Sequence, residues 1–175
     1  MTDQIEDPAC AVAHGHPSVP PEDRTLVAVF ASPVAEYLLR YGSDAGYSPV
    51  LLEPDPARAA AAGSSGLPVA ASFADCPPGA DVVVTDHHRP ELGVMLRDAL
   101  AARAGWIGLM GSPRHPGPHI PLLTELGVAA ADIARVHRPI GLNIGSRAPA
   151  EIAIATVAGL IAERNGCPGG FSFSS

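Results

Sequence analysis

The sequence predicts an α/β protein with a parallel sheet covered by helices on both faces. Short apolar runs alternate with helical segments of about 10 to 15 residues, which is the pattern of consecutive βαβ units. The chain has 175 residues, the length of one domain. Hydrophobic residues make up 47% of it and charged residues 17%, so it can form a sizeable core.

The first βαβ unit is the clearest part of the pattern. The apolar run Leu26–Phe30 is typical of a strand buried on both faces. Ser32 and Pro33 predict a helix start, because serine caps helix N-termini and proline is tolerated in the first turn. The helix is expected to end at Gly46, and Pro49–Glu53 is the second predicted strand.

The rest of the chain continues the alternation. Further strands are predicted at Asp81–Asp86, Gly105–Met110 and Val136–Ile140. Helical segments are predicted at Ala57–Ala62, Pro90–Arg103, His119–Leu126, Ala130–Ala134 and Pro149–Arg164. This order is typical of a Rossmann-like sheet, in which ligands bind beyond the carboxyl ends of the strands.

The last predicted helix and the chain ends complete the organisation. Pro149–Arg164 is apolar on nearly every side, so we expect it to be buried under other elements or in a homodimer interface. Residues 1–23 contain several prolines and no apolar period, which is typical of an arm or linker. We therefore expect an arm at 1–23, a Rossmann-like domain at 24–165 and a tail at 166–175.

Charge and hydropathy exclude several classes of protein. Eleven basic residues against 18 acidic residues give a net charge of −7, which argues against nucleic-acid or anionic-membrane partners. The longest apolar run, Ile152–Ala162, is shorter than the roughly 20 residues of a transmembrane helix. The N-terminus has no apolar signal region, and the three cysteines form no CxxC pair. We therefore expect a cytoplasmic protein.

The first strand-to-helix turn has the position of a dinucleotide site without its glycines. Ala31 and Ser32 stand where a glycine-rich turn would hold a pyrophosphate, and Pro33 removes one N–H donor. Glu53, at the end of the second strand, has the position of an acid that binds ribose. We expect the turn to bind a ligand other than a dinucleotide, or none. NAD(P) in particular is expected to bind poorly.

The segment Thr85–His88 follows the third predicted strand. Asp86 and His87 are candidate ligand-binding residues, and with His88 they resemble the DHH triplet of metal-dependent phosphoesterases. A phosphoesterase, or a Rossmann oxidoreductase that uses this loop, is therefore the alternative function. No second metal-binding cluster is evident, and adjacent side chains on extended chain point to opposite sides. We predict no metal site here, and a polar loop with a hydrogen-bonded histidine is the structural alternative.

Two further loops combine small residues with an arginine. They carry Gly111, Ser112 and Arg114 after the fourth strand, and Gly141, Gly145 and Arg147 before the last helix. Small residues allow close approach of a ligand or backbone, arginine binds anions, and a helix N-terminus favours negative charge. Tight turns with exposed arginines are the structural alternative, and capping alone would explain Glu151 in the first turn of the last helix.

Three ordered strings resemble the C-terminal Rossmann domain of the XdhC/CoxI accessory proteins. Trp106–Ser112, Arg135–Gly145 and Pro149–Ala153 are similar to the family strings YIG-x-x-GS, H-x-P-I-G-L-x-I-G and T-P-x-E-I-A. The resemblance implies an accessory protein, of chaperone type, for molybdenum hydroxylases such as xanthine dehydrogenase. It also implies that such a hydroxylase is the partner, and that the family handles the molybdenum cofactor. The resemblance assigns no ligand to the Rossmann domain itself, so the cofactor is unknown. The loops of Arg114 and Arg147 point to a phosphorylated molecule, of which the molybdenum cofactor is one. No residue is assigned a catalytic role.

The chain departs from the family pattern at several positions. Phe30, Ser32 and Pro33 stand at the first glycine, second glycine and histidine of the family turn G-A-G-H-V-A. Pro113 replaces an arginine, and Ala148 replaces a capping threonine. The N-terminal domain of the family, with its cysteine motif, has no counterpart in this sequence. We therefore expect a stand-alone or split Rossmann partner.

Overall fold

The structure is a computed structural model that describes residues 24–63, 66–112 and 114–170. Within this part of the chain, six parallel strands form one sheet in the order β3-β2-β1-β4-β5-β6. The strands are β1 (Arg24–Val29), β2 (Tyr47–Leu52), β3 (Val69–Ala70), β4 (Asp81–Val84), β5 (Trp106–Leu109) and β6 (Val136–His137). The helices are α1 (Pro33–Asp44), α2 (Pro56–Gly63), α3 (Leu92–Ala101), α4 (His119–Glu125), α5 (Ala130–Ile133) and α6 (Pro149–Arg164). The predicted α/β fold is confirmed.

Helices cover the sheet on both faces, and β1 shows how the sequence specifies this. Val27 and Val29 belong to the core layer shared with α3, α4 and α5, whereas Leu26 and Ala28 belong to the layer shared with α1 and α6. All four side chains are fully buried. Because successive strand residues point to opposite faces, a continuous apolar run fits a strand covered on both sides.

The register brings the carboxyl ends of the central strands level with one another. Val29 pairs with Leu52 on one side and with Val84 on the other, and Val84 pairs with Leu109. The strand order reverses between β1 and β4, which is where open α/β sheets form a crevice for ligands. The loops after β1, β2, β4 and β5 therefore meet at this carboxyl edge.

Several elements differ from the prediction in length. Strand β3 was not predicted, because two residues are too few to show an alternating pattern. Strand β6 ends at His137 rather than at Ile140, since Pro139 cannot donate a hydrogen bond to the ladder. Helix α3 begins at Leu92, two residues later than predicted, and ends at Ala101.

Helix α6 is buried on several faces, and one of them packs against α1. Ala153, Val157 and Leu160 lie in the same core layer as the buried residues of α1. Ile154, on another face, is 51% exposed. Ala155 and Thr156, which lie on further faces, are also buried. Other parts of the single chain therefore cover most sides of the helix, as expected, and leave Ile154 exposed. No helix of the described residues is long and apolar enough to cross a membrane.

The loop before α6 lies directly on that helix. Leu142 donates its backbone N–H to the carbonyl oxygen of Ala155 at 3.0 Å. A Cβ atom on Gly141 would lie 3.2 Å from the backbone of Ala155, and Gly141 has a φ of +82°. A Cβ on Gly159 would in turn lie 3.1 Å from the Cα of Gly141. The glycine at 141 is therefore explained by close packing on α6.

Replacing Gly141 with alanine should destabilise the fold more than the same change at Gly145. Both glycines have positive φ, +82° and +71°, so both substitutions carry a left-handed penalty of about 1–2 kcal/mol. Only Gly141 adds a steric conflict, worth about 1–3 kcal/mol, because nothing lies within 4 Å of a Cβ at Gly145. Urea unfolding of Gly141→Ala and Gly145→Ala measures the difference, and equal losses would contradict the packing role.

Candidate functional site

In the turn between β1 and α1, a phenylalanine has a backbone conformation that usually requires glycine. Phe30 is fully buried and has a φ of +75°, a conformation that bulky residues rarely adopt. Its backbone N–H donates to the carbonyl oxygen of Leu52 at 2.9 Å, which continues the ladder between the strands. The side chain thus occupies the position where the family turn has its first glycine.

Glu53 is buried beneath this turn. Glu53 is only 1% exposed, and its two carboxylate oxygens accept four hydrogen bonds. Two come from the backbone N–H groups of Ala31, at 2.8 Å, and Asp55, at 3.0 Å. The other two come from the guanidinium of Arg89, at 3.0 and 3.2 Å. Both oxygens that a ribose would need are therefore already engaged.

Arg89 ties the β4–α3 loop to the turn. Its guanidinium lies over the Phe30 ring, 4.5 Å from the ring centre, and also binds Glu91 at 3.2 Å. The hydrogen bonds to Glu53 raise the pKa of Arg89, and the Arg89 guanidinium lowers the pKa of Glu91. The role of Arg89 is not evident from the sequence, because its partner lies 36 residues away and neither residue signals the pair.

Ser32 caps helix α1 as predicted. Its Oγ accepts the backbone N–H of Ala35 at 3.1 Å, and the Ser32 and Thr85 hydroxyl oxygens lie 3.1 Å apart. The Thr85 hydroxyl also lies within hydrogen-bond distance of the carbonyl oxygens of Val29 and Phe30. Two N–H groups of the first turn, those of Ala31 and Ala35, are thus used within the protein.

A small cavity lies beside the turn, between α1 and α2. Its volume is about 100 Å³, and its lining is mostly apolar, with Ser32 and Glu36 as its polar members. Pockets that hold cofactors or drug-sized ligands span roughly 300–1,000 Å³. The cavity is therefore too small to hold a nucleotide.

Asp86 and His87 lie at the end of β4, next to the turn. An Asp86 carboxylate oxygen accepts the backbone N–H of His88 at 2.9 Å, and the rings of His87 and His88 are 4.0 Å apart. Burial, together with the charges of His88 and Arg138, lowers the pKa of His87. Across residues 24–63, 66–112 and 114–170, no three His, Cys, Asp or Glu side chains form a group that could hold a metal ion.

The loop after β5 is held by Arg138, which the sequence motifs do not single out. Arg138 donates from Nη2 to the carbonyl oxygen of Ser112 at 2.9 Å and from Nη1 to that of His115 at 3.0 Å. Gly111 leaves room for it, since a Cβ there would lie 2.8 Å from Nη2. Ser112 and Arg114 are exposed on this loop. Arg138 occupies a variable position of a family string, which is why the pattern did not single it out.

The segment before α6 is linked to its own helix. The backbone N–H groups of Arg147 and Ala148 donate to one carboxylate oxygen of Glu151 at 3.1 and 3.3 Å. These two bonds lower the pKa of Glu151. Gly145 and the side chain of Arg147 are exposed. An anion at this helix end would therefore compete with Glu151 for two of the donors.

The structure thus brings some of the predicted residues together and separates others. Hydrogen bonds and strand register join the first turn, Glu53 and the Thr85–His87 segment at the crevice between β1 and β4. The loop of Gly111, Ser112 and Arg114 follows the neighbouring strand. By contrast, the backbone of Gly141 and Arg147 is bonded to or packed on α6.

The sequence profile of the XdhC Rossmann domain matches residues 26–160. The chain belongs to the XdhC Rossmann domain family. The match runs from β1 into α6 and includes all the strings that suggested the resemblance, which is therefore confirmed.

Two individual proteins illustrate the relationship. The protein YqeB of Escherichia coli K12, described as uncharacterized, is 36% identical over 89 residues, which cover 51% of this chain and 16% of YqeB. A crystal structure from Bacillus halodurans, described as a xanthine dehydrogenase, superposes with a TM-score of 0.65 at 24% identity. The superposition covers 82% of this chain and 45% of the Bacillus halodurans chain. At this identity the likeness shows the fold, and this XdhC Rossmann domain spans less than half of either relative.

Replacing Arg89 with methionine should destabilise the XdhC Rossmann domain by about 3–5 kcal/mol, because Glu53 would be left buried without its cation. The matched control is Arg97→Met, which removes an exposed ion pair with Asp98 and should cost under about 1 kcal/mol. Urea unfolding of both variants measures the free energies. Similar small losses would show that the buried pair does not hold the turn.

Proposed function

We propose that this XdhC Rossmann domain is an accessory module for a molybdenum hydroxylase of the xanthine dehydrogenase type. In this proposal it binds a phosphorylated, pterin-like ligand such as the molybdenum cofactor at the carboxyl edge of the sheet. The observation that carries the proposal is the Gly111–Ser112 loop, which presents Ser112 and Arg114 to solvent beside the crevice between β1 and β4. Family membership supports the accessory role and the hydroxylase as partner.

The arrangement of the first turn supports a ligand other than NAD(P). A pyrophosphate needs free backbone N–H groups and close backbone approach at this turn. Ala31 and Ala35 donate theirs to Glu53 and Ser32, and the Phe30 side chain fills the position of a glycine. Glu53 has no free oxygen to offer a ribose, because Arg89 takes both. Weak binding of NAD(P) therefore remains our prediction.

The local charge supports an anionic group on the ligand. Arg114 is exposed, and Arg138 lies behind the same loop, close enough to lower the pKa of both His87 and His119. These cations are locally concentrated in a chain whose net charge is −7. A phosphate group would be recognised by charge-assisted hydrogen bonds at this loop. We assign no catalytic residue and propose the cytoplasm as the location of this role.

Calorimetric titration with inorganic phosphate and with a pterin monophosphate tests the ligand. The wild-type protein should bind the pterin monophosphate, and Arg114→Ala should weaken binding at least about tenfold, as expected from losing one charge-assisted bond of about 1.5–3 kcal/mol. Arg97→Ala is the matched control, because it removes the same charge from the exposed surface of α3. Equal affinities for wild type and Arg114→Ala would remove Arg114 from the site.

Two further measurements separate the accessory role from an oxidoreductase. NAD(P)H should show no saturation below about millimolar concentration, and micromolar binding would favour an oxidoreductase instead. Protein loaded with molybdenum cofactor should raise the activity of a cofactor-free molybdenum hydroxylase, and Arg114→Ala should do so less. Ligand binding without any gain in hydroxylase activity would contradict the accessory role.

We propose a homodimer that buries Ile154 of α6. Ile154 is 51% exposed. Ile144 is 56% exposed and follows Leu142, whose backbone N–H is bonded to Ala155 of α6. Burying such side chains in an interface would remove apolar surface from water. A substitution at Leu160 would not test this interface, because Leu160 is only 3% exposed and belongs to the core of the single chain.

Sedimentation velocity at micromolar concentration tests the dimer. Wild-type protein should sediment as a dimer, and Ile154→Glu should sediment as a folded monomer, because a charge cannot be buried there without a partner. Ile120→Glu on α4 is the matched control, since Ile120 is 54% exposed, and it should leave the dimer intact. A monomeric wild type, or equal effects of both variants, would contradict the proposal.

A further inference from the structure

We propose that Arg138 is a positioning residue that holds residues 111–112 and 114–117, the described part of the loop after β5, in their ligand-binding conformation. The loop carries Ser112 and Arg114, and Arg138 reaches it from the end of β6, on the neighbouring strand. The identity of the ligand rests on the proposed function, whereas the contact between Arg138 and the loop rests on two observed hydrogen bonds. Nothing in the sequence pattern of the loop itself points to this arginine.

The guanidinium of Arg138 fastens the loop at two places. Nη2 binds the carbonyl oxygen of Ser112 at 2.9 Å, and Nη1 binds that of His115 at 3.0 Å. The same Ser112 carbonyl accepts the backbone N–H of His115 at 3.3 Å, so the turn and the arginine reinforce each other. The Ser112 hydroxyl oxygen accepts the backbone N–H of Arg114 at 3.3 Å. Arg114 thus depends on a turn that Arg138 closes.

Two glycines of the loop fit its shape to Arg138. A Cβ on Gly111 would lie 2.8 Å from Nη2 and 2.9 Å from Nε of Arg138. A Cβ on Gly117 would lie 3.5 Å from Cδ of Arg138 and 2.6 Å from Nδ1 of His119. Any larger residue at Gly111 would push the guanidinium away from the carbonyl oxygens. The small residues of this loop therefore admit a side chain of the protein itself.

Arginine is the residue type that this contact requires. A planar guanidinium presents several donors in a fixed arrangement, so two nitrogens can reach two separate carbonyl oxygens at once. Lysine carries the same charge on a single nitrogen and cannot reproduce both bonds with this geometry. The variant Arg138→Lys therefore separates the effect of the charge from the effect of the hydrogen bonds.

Arg138 acts through the loop rather than as a free cation. Its Nε is buried without a hydrogen-bond partner among the described residues, as is Nδ1 of the neighbouring His119, which is 7% exposed. Burial and the charge of Arg138 lower the pKa of His119. His87 experiences the same charge together with those of His88 and Asp86. The two histidines therefore report the position of the Arg138 charge independently of any ligand.

The test compares Arg138→Gln and Arg138→Lys with wild type in three measurements. Amide exchange followed by NMR should be at least about tenfold faster at Arg114 and His115 in both variants, because the two hydrogen bonds to the turn are lost. Exchange at Thr85, whose N–H is bonded to the carbonyl oxygen of Val29, should stay unchanged. The pKa values of His87 and His119 should rise in Arg138→Gln and stay near the wild-type values in Arg138→Lys. Affinity for inorganic phosphate and for the pterin monophosphate should fall at least about tenfold in both.

The matched control is Arg135→Gln, an exposed arginine three residues away, which should leave all three measurements unchanged. Unchanged amide exchange in both variants would overturn the hold on the loop. Faster exchange with unaltered phosphate and pterin affinity would overturn the positioning role. If wild-type protein binds neither inorganic phosphate nor the pterin monophosphate, the proposed function fails, and the positioning role in ligand binding fails with it. The amide exchange rates and the histidine pKa values still decide whether Arg138 holds the loop.

Discussion

The buried ion pair between Glu53 and Arg89 determines the form of the carboxyl edge. Glu53 ends β2, Arg89 belongs to the loop after β4, and the pair lies beneath the turn that follows β1. Taking both charges out of water is costly, and the cost is offset only because every carboxylate oxygen is hydrogen-bonded. Three loops are thereby fixed relative to one another. The crevice between β1 and β4 consequently contains a completed internal contact at the place where related folds receive a ribose.

Both arginines that shape this edge are committed to the protein itself. Arg89 is bonded to Glu53 and Glu91, and Arg138 is bonded to backbone carbonyl oxygens of the loop after β5. Arg114 remains exposed on that loop. Neither of these two guanidinium groups is therefore free to bind an external anion. Exposed arginines such as Arg114 and Arg147 remain for that role.

The fold was predictable from the sequence because its signals are local. Apolar runs such as Leu26–Phe30 and the capping serine Ser32 specify a strand and a helix start within a few residues. The site was less predictable, because its contacts join distant residues. Glu53 and Arg89 are 36 positions apart, and Gly141, a candidate for an anion-binding loop, packs on α6. Sequence spacing does not distinguish a glycine that admits a ligand from one that admits a neighbouring helix.

The backbone conformation of Phe30 has a consequence for protein engineering. With a φ of +75°, this residue has a backbone conformation that glycine adopts readily. A glycine at this position would therefore remove the ring without changing the local backbone conformation. A designer who wished to install a dinucleotide site would need to remove the bulk of Phe30 and release the Ala31 N–H from Glu53. Pro33 would also have to be replaced, because it lacks the backbone N–H that a pyrophosphate would use.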